Sequence, residues 1–192
     1  MYDTAEEFNP KEKKTFAKFM MRFIDCFLVR NDVPFFGKLS KKIRCFLARR
    51  ISKGIEKGAV IEKGAIIVPG VSCEAHACIG IGCVTCWGLH IEKHTMMGPN
   101  CRFFSHPHKR ATSGHYVFRG FENPRPIYIK RDCWVGYNSI IMGGVTISEG
   151  CTIGAGSVVT KSIPPFSLAA GNPAVVKKTY HIPEKYYSEE EK

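Results

Sequence analysis

Apolar side chains recur at every sixth position along much of this chain. Between residues 129 and 163 one series is aliphatic, and a second series, four positions further on, is mostly small. A period of six fits neither an amphipathic helix nor a simple alternating strand, but it is typical of hexapeptide repeats, whose short strands stack into a parallel β-helix. The aliphatic series is Ile129, Val135, Ile141, Ile147, Ile153 and Val159, and the small series is Cys133, Ser139, Val145, Cys151, Ser157 and Ile163.

The same rhythm begins earlier, at Gly54, and runs without resetting to Phe103. Three hexads make one triangular coil of about 18 residues, so this block predicts nearly three coils and the block after it about two more. The alternative is a run of ordinary β-hairpins. Hairpins need turn residues between alternating strands, and because the rhythm here never resets, the β-helix is favoured. The aliphatic series here is Ile55, Ile61, Ile67, Cys73, Ile79, Thr85, Ile91, Met97 and Phe103, and the small series is Ala59, Ala65, Val71, Ala77, Cys83, Leu89, Thr95 and Cys101.

The rhythm fails between residues 104 and 128. Phe103 and Ile129 are 26 positions apart, which is not a multiple of six, so the segment is predicted to leave the coil and return to it. Long irregular excursions from a rigid scaffold often carry function. This one contains three of the seven histidines, namely His106, His108 and His115.

Two basic amphipathic helices are predicted before the repeats, over 10–30 and from Leu39 to about Arg50. Such helices cap the end of a β-helix or pack on a neighbouring subunit more often than they lie on a membrane surface, so membrane association is the less favoured interpretation. After the repeats, consecutive prolines end the strand ladder. The predicted organisation is an N-terminal helical region over 1–53, a β-helix over 54–165 with the inserted loop 104–128, and a C-terminal extension over 166–192.

The composition limits which cellular compartments and which classes of partner fit this chain. No run of 18 uncharged apolar residues occurs, and the N-terminus lacks the apolar core of a signal peptide. The formal net charge of +11 comes without a nucleic-acid motif, and a phosphorylated cofactor or an anionic sugar is as compatible with it. Five of the nine cysteines fall in the two repeat series, which indicates packed free thiols in a reducing, cytoplasmic compartment.

Four ordered motifs resemble the hexapeptide-repeat acyltransferases. The closest branch contains the galactoside, maltose and capsular-polysaccharide O-acetyltransferases. The resemblance implies a mainly β fold, a left-handed parallel β-helix, preceded here by the pair of α-helices and interrupted by the protruding loop. It also implies a homotrimer with active sites between subunits, acetyl-CoA as the acyl donor and a saccharide as the acceptor. The motifs are GPN at 98–100, SHPH at 105–108, CWVGYNSIIMGGVTISEGCTIGAGSVVTKSIPP at 133–165 and AAGNPAVVKK at 169–178.

The resemblance also assigns candidate site residues. His106 stands at the family's His-Pro position and is the expected general base, because imidazole exchanges protons near neutral pH. Pro107 restricts the backbone of this histidine. No set of residues has the spacing of a metal site, so no metal is expected. The expected CoA-binding residues are Tyr137, Ala155, Thr160, Lys161 and Lys178, and the expected acceptor-binding residues are Trp134, Trp87 and His108. A backbone N–H near Gly143 is the expected oxyanion donor.

One segment departs from the family pattern. Acetyltransferases of this type commonly carry an acceptor-binding asparagine in a coil before the GPN motif, but residues 80–88 read GIGCVTCWG. The acceptor is therefore predicted to differ from a simple galactoside or maltose. The leading interpretation is O-acetylation of a saccharide such as a surface-polysaccharide precursor. The alternatives are N-acylation of an amino sugar, acetylation of a xenobiotic, and a β-helix scaffold without catalysis.

Overall fold

The sixfold rhythm winds into a triangular coil with three parallel sheets as its sides. The computed structural model describes residues 14–30, 32–33, 36–109 and 120–181. The strands are short, as a hexapeptide repeat predicts. They are β1 Gly54–Ile55, β2 Val60–Ile61, β3 Ser72–Cys73, β4 Cys78–Ile79, β5 Leu89–Ile91, β6 Met96–Met97, β7 Arg102–Phe104, β8 Ile127–Ile129, β9 Trp134–Val135, β10 Ile140–Met142, β11 Thr146–Ile147, β12 Thr152–Ile153, β13 Val158–Val159, β14 Ser167–Gly171 and β15 Ala174–Thr179.

Each sheet is a ladder of strands from successive coils. Sheet 1 has the order β1-β3-β5-β8-β11, sheet 2 the order β2-β4-β6-β9-β12-β14-β15, and sheet 3 the order β7-β10-β13. All neighbours pair in parallel except β14 and β15. Gly54 lies opposite Ser72, and Val60 lies opposite Cys78, eighteen positions later in both cases. Residues one coil apart are therefore direct neighbours.

The two predicted repeat series form the core. Every member of both series, in both blocks, is buried, and the least buried of them is Ala65 at 7% exposure. The five cysteines in the series are buried free thiols. The two prolines do not end the ladder as predicted, because sheet 2 continues past them with β14, where Ala169 pairs with Ile153, and with β15.

Two helices pack on the first coils. They are α1 Lys14–Phe27 and α2 Phe36–Ile51, so α2 begins three residues earlier than predicted, and residues 10–13 lie outside the described part of the chain. The buried Arg44 guanidinium donates to Asp25 Oδ1 at 2.5 Å and to the Val29 carbonyl at 2.8 Å, which ties the two helices together. Lys63 Nζ donates to the Leu28 carbonyl at 2.9 Å and ties α1 to the coil. Neither helix is long and apolar enough to span a bilayer.

The interruption is a hairpin with a backbone-bonded base. Phe103 pairs with Ile141, 38 positions later, whereas Ile141 pairs with Val159, 18 positions later, so the excursion adds 20 residues to its coil. Its described arms are joined by hydrogen bonds from Lys109 N to Gly120 O at 3.0 Å, from Glu122 N to Pro107 O at 2.8 Å and from Arg125 N to Ser105 O at 2.8 Å. Residues 110–119, including His115, lie outside the described chain.

Candidate active site

His106 lies at the base of the hairpin, where the chain leaves sheet 3 after β7. Its Nδ1 is 2.9 Å from the hydroxyl oxygen of Ser105. Ser105 is almost fully buried, at 1% exposure, whereas His106 is half-buried. The coil therefore fixes the serine, and the serine orients an imidazole that still reaches the surface.

Two aromatic rings stand beside the imidazole. The Trp87 indole meets it edge-on at 6.2 Å between ring centroids, and the Phe121 ring does so at 6.3 Å with an interplanar angle of 82°. Phe121 also lies 4.3 Å from the His108 ring, and His108 forms a bridge with Phe121 across the hairpin. These rings limit how far the imidazole can turn, and they give the site apolar walls.

The position of Trp87 depends on a glycine in the preceding coil. Gly70 has a φ of +82°, and a Cβ there would lie 2.5 Å from Trp87 Cδ1. The indole therefore packs directly over the backbone of Gly70. A residue with a side chain would have to displace the ring, and would also be strained at this φ.

The backbone of the coil beneath the hairpin also lies close to the segment that carries His106. A Cβ on Gly143 would lie 3.0 Å from Arg125 O, 3.1 Å from Phe104 O and 3.1 Å from Ser105 Cα. The Gly143 backbone is thus pressed against the segment that carries the histidine. This contact fixes the distance of Ser105 and His106 from the next turn of the coil.

The buried Cys86 thiol lies beside Ser105 on the side of the site that faces the core. Burial raises the pKa of the Cys86 thiol, while hydrogen bonding from the Ser105 side chain and backbone acts in the opposite direction. The Ser105 hydroxyl can donate to the Cys86 sulfur and accept from His106 Nδ1 at the same time. In the tautomer that has the proton on Nδ1, this pattern leaves the lone pair on Nε2.

The other predicted site residues divide into two groups. Trp87, His106, His108, Thr160 and Lys161 lie at or beside the corner between sheets 3 and 1, since each follows a sheet 3 position. The second group lies on sheet 2 or at the corner that follows it. It comprises Trp134 in β9, Lys178 in β15, and Tyr137 and Ala155 one coil apart beyond β9 and β12.

Sheet 3 separates these two groups within one chain. Trp134 is 55% exposed and Tyr137 48% exposed, and Ala155, Thr160, Lys161 and Lys178 are exposed as well. One copy therefore brings Trp87 and His108 to His106 but does not bring the sheet 2 residues there. No three His, Cys, Asp or Glu side chains gather as a metal set in the described segments.

Sequence reasoning missed Ser105, Phe121 and Gly70 as parts of the site. The place of Ser105 could have been predicted from the eighteen-residue register of the coil. Adding 18 to the number of Trp87 gives 105, so the indole belongs beside Ser105 and one residue from His106. Phe121 could not be placed this way, because it lies in the hairpin, where the register does not apply.

Comparison with known proteins agrees with this architecture. The repeat family described as "Bacterial transferase hexapeptide (six repeats)" matches residues 126–161. A "putative acetyltransferase" of Staphylococcus aureus (strain COL) is 48% identical over 115 aligned positions, which span 48% of this chain and 56% of the relative. The galactoside O-acetyltransferase of Lactococcus lactis subsp. lactis (strain IL1403) is 36% identical over 90 positions, spanning 47% of this chain and 42% of that protein. The match thus spans about half the length of these curated relatives.

Solved structures share the fold at low sequence identity. A hexapeptide-repeat acetyltransferase from Vibrio cholerae O1 biovar eltor, complexed with acetyl coenzyme A, superimposes with a TM-score of 0.64 at 21% identity, covering 93% of this chain and 92% of that one. A maltose O-acetyltransferase from Clostridium difficile 630 gives a TM-score of 0.60 at 23% identity, covering 90% of each chain. The predicted left-handed parallel β-helix is confirmed, and so is the chain's resemblance to the hexapeptide-repeat acyltransferases.

Proposed function

We propose that this protein is an acetyl-CoA-dependent O-acetyltransferase that moves an acetyl group to a hydroxyl of a saccharide. The observation that carries the proposal is the setting of His106. Its Nδ1 lies 2.9 Å from the buried Ser105 hydroxyl, and its ring stands between Trp87 and Phe121 on a rigid coil corner. This is the arrangement that an oriented general base requires.

The proposed chemistry begins at the second ring nitrogen. With Nδ1 donating to Ser105 Oγ, Nε2 of His106 accepts the proton of the acceptor hydroxyl as its oxygen attacks the thioester carbonyl. A backbone N–H near Gly143 stabilises the oxyanion. The C–S bond then breaks, and the imidazolium returns its proton to the departing CoA sulfur. The acetyl group ends as an ester, and His106 is restored.

The donor is proposed to bind along exposed residues on both sides of sheet 3. Lys161 and Lys178 are exposed cations suited to the phosphates of CoA, and Tyr137, Ala155 and Thr160 are exposed beside the coil backbone that would face the pantetheine arm. Trp134, in the central strand β9 of sheet 2, offers a flat, exposed apolar surface.

A homotrimer would join the two groups of residues. Sheet 3 keeps His106 apart from Tyr137, Ala155 and Lys178 within one chain. If one subunit's His106 corner faces the sheet 2 corner of the next subunit, both groups line one cleft. The same rotation repeated three times closes a ring with three such sites.

The acceptor side is proposed to be formed by Trp87, His108 and the hairpin. Trp87 is half-buried beside His106, and an indole of this kind can stack on a sugar ring. Residues 80–88 contain no asparagine. We therefore propose an acceptor other than a simple galactoside or maltose, such as a precursor of a surface polysaccharide, and place the reaction in the cytoplasm, where acetyl-CoA is made.

The test is transfer of labelled acetyl from acetyl-CoA to a panel of glycans and sugar nucleotides, with the product linkage read by NMR. An ester on a sugar carbon supports the proposal. An amide product would instead assign the protein to the N-acyltransferases. If CoA does not bind in calorimetry and no acceptor is modified, the coil is a scaffold without catalysis.

A further inference from the structure

The two N-terminal helices leave their aromatic side chains uncovered. In α1, Phe19, Phe23 and Phe27 follow one another at four-residue spacing, and their rings are in contact at 6.0 Å and 5.4 Å between centroids. In α2, Phe36, Leu39 and Phe46 form a second stripe at helical spacing. All six side chains are more than half exposed, from 52% for Phe23 to 75% for Phe27.

These stripes are not the faces that hold the helices on the coil. Helix α1 buries Ala17 and Met21, and α2 buries Arg44, Ala48 and Ile51. Both helices therefore cap the coil with one face and still present aromatic rings on another. A monomeric protein rarely exposes so many large apolar side chains in one region without a partner.

Positive charge surrounds the stripes. The segment 14–53 contains eleven Lys and Arg but only two Asp, a balance of nine positive charges out of the eleven of the whole chain. Of the two aspartates, Asp25 is paired with Arg44 and Asp32 with Arg30.

The cations also border the aromatic side chains directly. On α1, Arg22 is three positions from Phe19, and on α2, Lys42 lies between Leu39 and Phe46 at helical spacing. Both cations are exposed. The Arg50 guanidinium lies over the Phe46 ring, 5.0 Å from its centroid. Aromatic stripes flanked by Lys and Arg are typical of helices that lie in a bilayer interface.

We propose that α1 and α2 dock this protein on an anionic phospholipid bilayer, with the phenylalanine rings in the headgroup boundary and the flanking cations against lipid phosphates. A second copy of this chain is the weaker occupant on electrostatic grounds. Whichever of its surfaces faced the stripes, a second copy carries a formal net charge of +11, and like-charge repulsion opposes bringing it against this basic region. An anionic bilayer has the complementary charge. The inference does not depend on the transferase reaction.

The experiment is flotation of the full-length protein with vesicles of phosphatidylcholine alone and of phosphatidylcholine mixed with phosphatidylglycerol. Binding is expected only to the mixed vesicles, and it should weaken as salt is added. The variant Phe19→Ser/Phe23→Ser/Phe27→Ser should lose binding by at least about tenfold.

Two double variants that remove the same number of positive charges distinguish binding through the helices from attraction to the net charge of the whole protein. Arg22→Gln/Lys42→Gln should weaken binding by about tenfold or more, since each interfacial cation contributes substantially to attraction. Lys57→Gln/Lys93→Gln removes the same charge from exposed positions on the coil and should bind as the wild type does. Circular dichroism on each variant verifies that the helices form.

Three results would overturn the proposal. The first is equal binding to both kinds of vesicle, or binding to neither. The second is an equal loss in the two charge variants. The third is a triple phenylalanine variant that changes the oligomeric mass in light scattering while vesicle binding stays the same, since the stripe would then be a contact between subunits.

Discussion

Ser105 Oγ and His106 Nδ1 are 2.9 Å apart, and the serine is the buried member of the pair. Because a hydroxyl can accept from the imidazole while donating elsewhere, this contact accommodates the tautomer that has the proton on Nδ1. The proposed base is thus oriented by the adjacent residue in the chain. Serine acts here through the histidine, so it is a positioning residue.

Replacing His106 with alanine should reduce acetyl transfer about 10²–10⁴-fold, because it removes the one imidazole that Ser105, Trp87 and Phe121 orient together in the described corner. Binding of CoA and the oligomeric mass should change little, since the His106 side chain is half-buried and lies outside the core. Steady-state kinetics, calorimetry and light scattering measure the three quantities. Unchanged turnover would remove His106 from the base role.

The variant Ser105→Ala should lower kcat about tenfold, which corresponds to loss of one hydrogen bond that orients the base. The KM for acetyl-CoA should stay nearly constant. The pH profile of kcat should also shift, because Nδ1 of His106 loses its hydrogen-bond partner. A fall in thermal stability with no change in the pH profile would instead make Ser105 a packing residue only.

Alanine at Gly70 should disturb the acceptor side of the site. Its Cβ would lie 2.5 Å from Trp87 Cδ1, so the indole must move. The matched control is Gly64→Ala, where φ is +75° and the nearest atoms are an ordinary 3.6 Å away. Both variants should lose about 1–2 kcal/mol from backbone strain. Only Gly70→Ala should raise the KM for the acceptor, and equal kinetics in the two would contradict the role given to Trp87.

Acid should destabilise the fold partly through His90. Burial, and then the Lys130 ammonium, lower the pKa of His90 below its ordinary value. The unfolded chain therefore binds this proton more readily, and stability falls as the pH drops below about 6.5, the ordinary histidine value. Ser72 Oγ lies 2.8 Å from His90 Nδ1, so His90→Asn retains a polar partner for it.

The measurement is the urea midpoint of wild type and His90→Asn between about pH 7 and pH 5. The wild type should lose more stability over this interval than the variant. An equal loss in both proteins would show that other groups carry the acid sensitivity.

Cys26 should be the one thiol that reacts rapidly in the folded protein. It is exposed, whereas burial raises the pKa of Cys73 to about 12 and that of Cys78 to about 11. A buried thiol reacts slowly, and this includes Cys101 and Cys151, whose pKa values are lowered by hydrogen bonding with the Cys83 and Cys133 side chains but which are at most 1% exposed. A chromogenic disulfide should therefore titrate one cysteine before denaturation and nine after it, and none rapidly in Cys26→Ser. Several fast thiols would mean that the coil opens readily.

The coil could be predicted from the sequence because the period of six in the apolar positions is local and repeated. Ile79 and Cys83 belong to different series, yet both are fully buried, as the period of six requires. Phe103 and Ile129 marked the interruption, and the chain re-enters the ladder with β8 at Ile127.

The site was less accessible to the same reasoning. His106 could be named from its motif, but its contact with Phe121 depends on how the hairpin folds back, and no period describes that. Tyr137 and Lys178 were assigned with His106 to one site, whereas sheet 3 separates them within one chain. A linear motif does not state which copy of the chain supplies each residue.

The hairpin base has a consequence for how this protein can diversify. The bond from Arg125 N to Ser105 O closes the excursion, and β8 then resumes its place beside β5. The coil is therefore indifferent to the length and composition of what lies beyond that bond. Substituting Phe121 changes the wall beside His106 without removing a side chain from the core. The surroundings of the proposed base and the fold can therefore change independently of each other on the same scaffold.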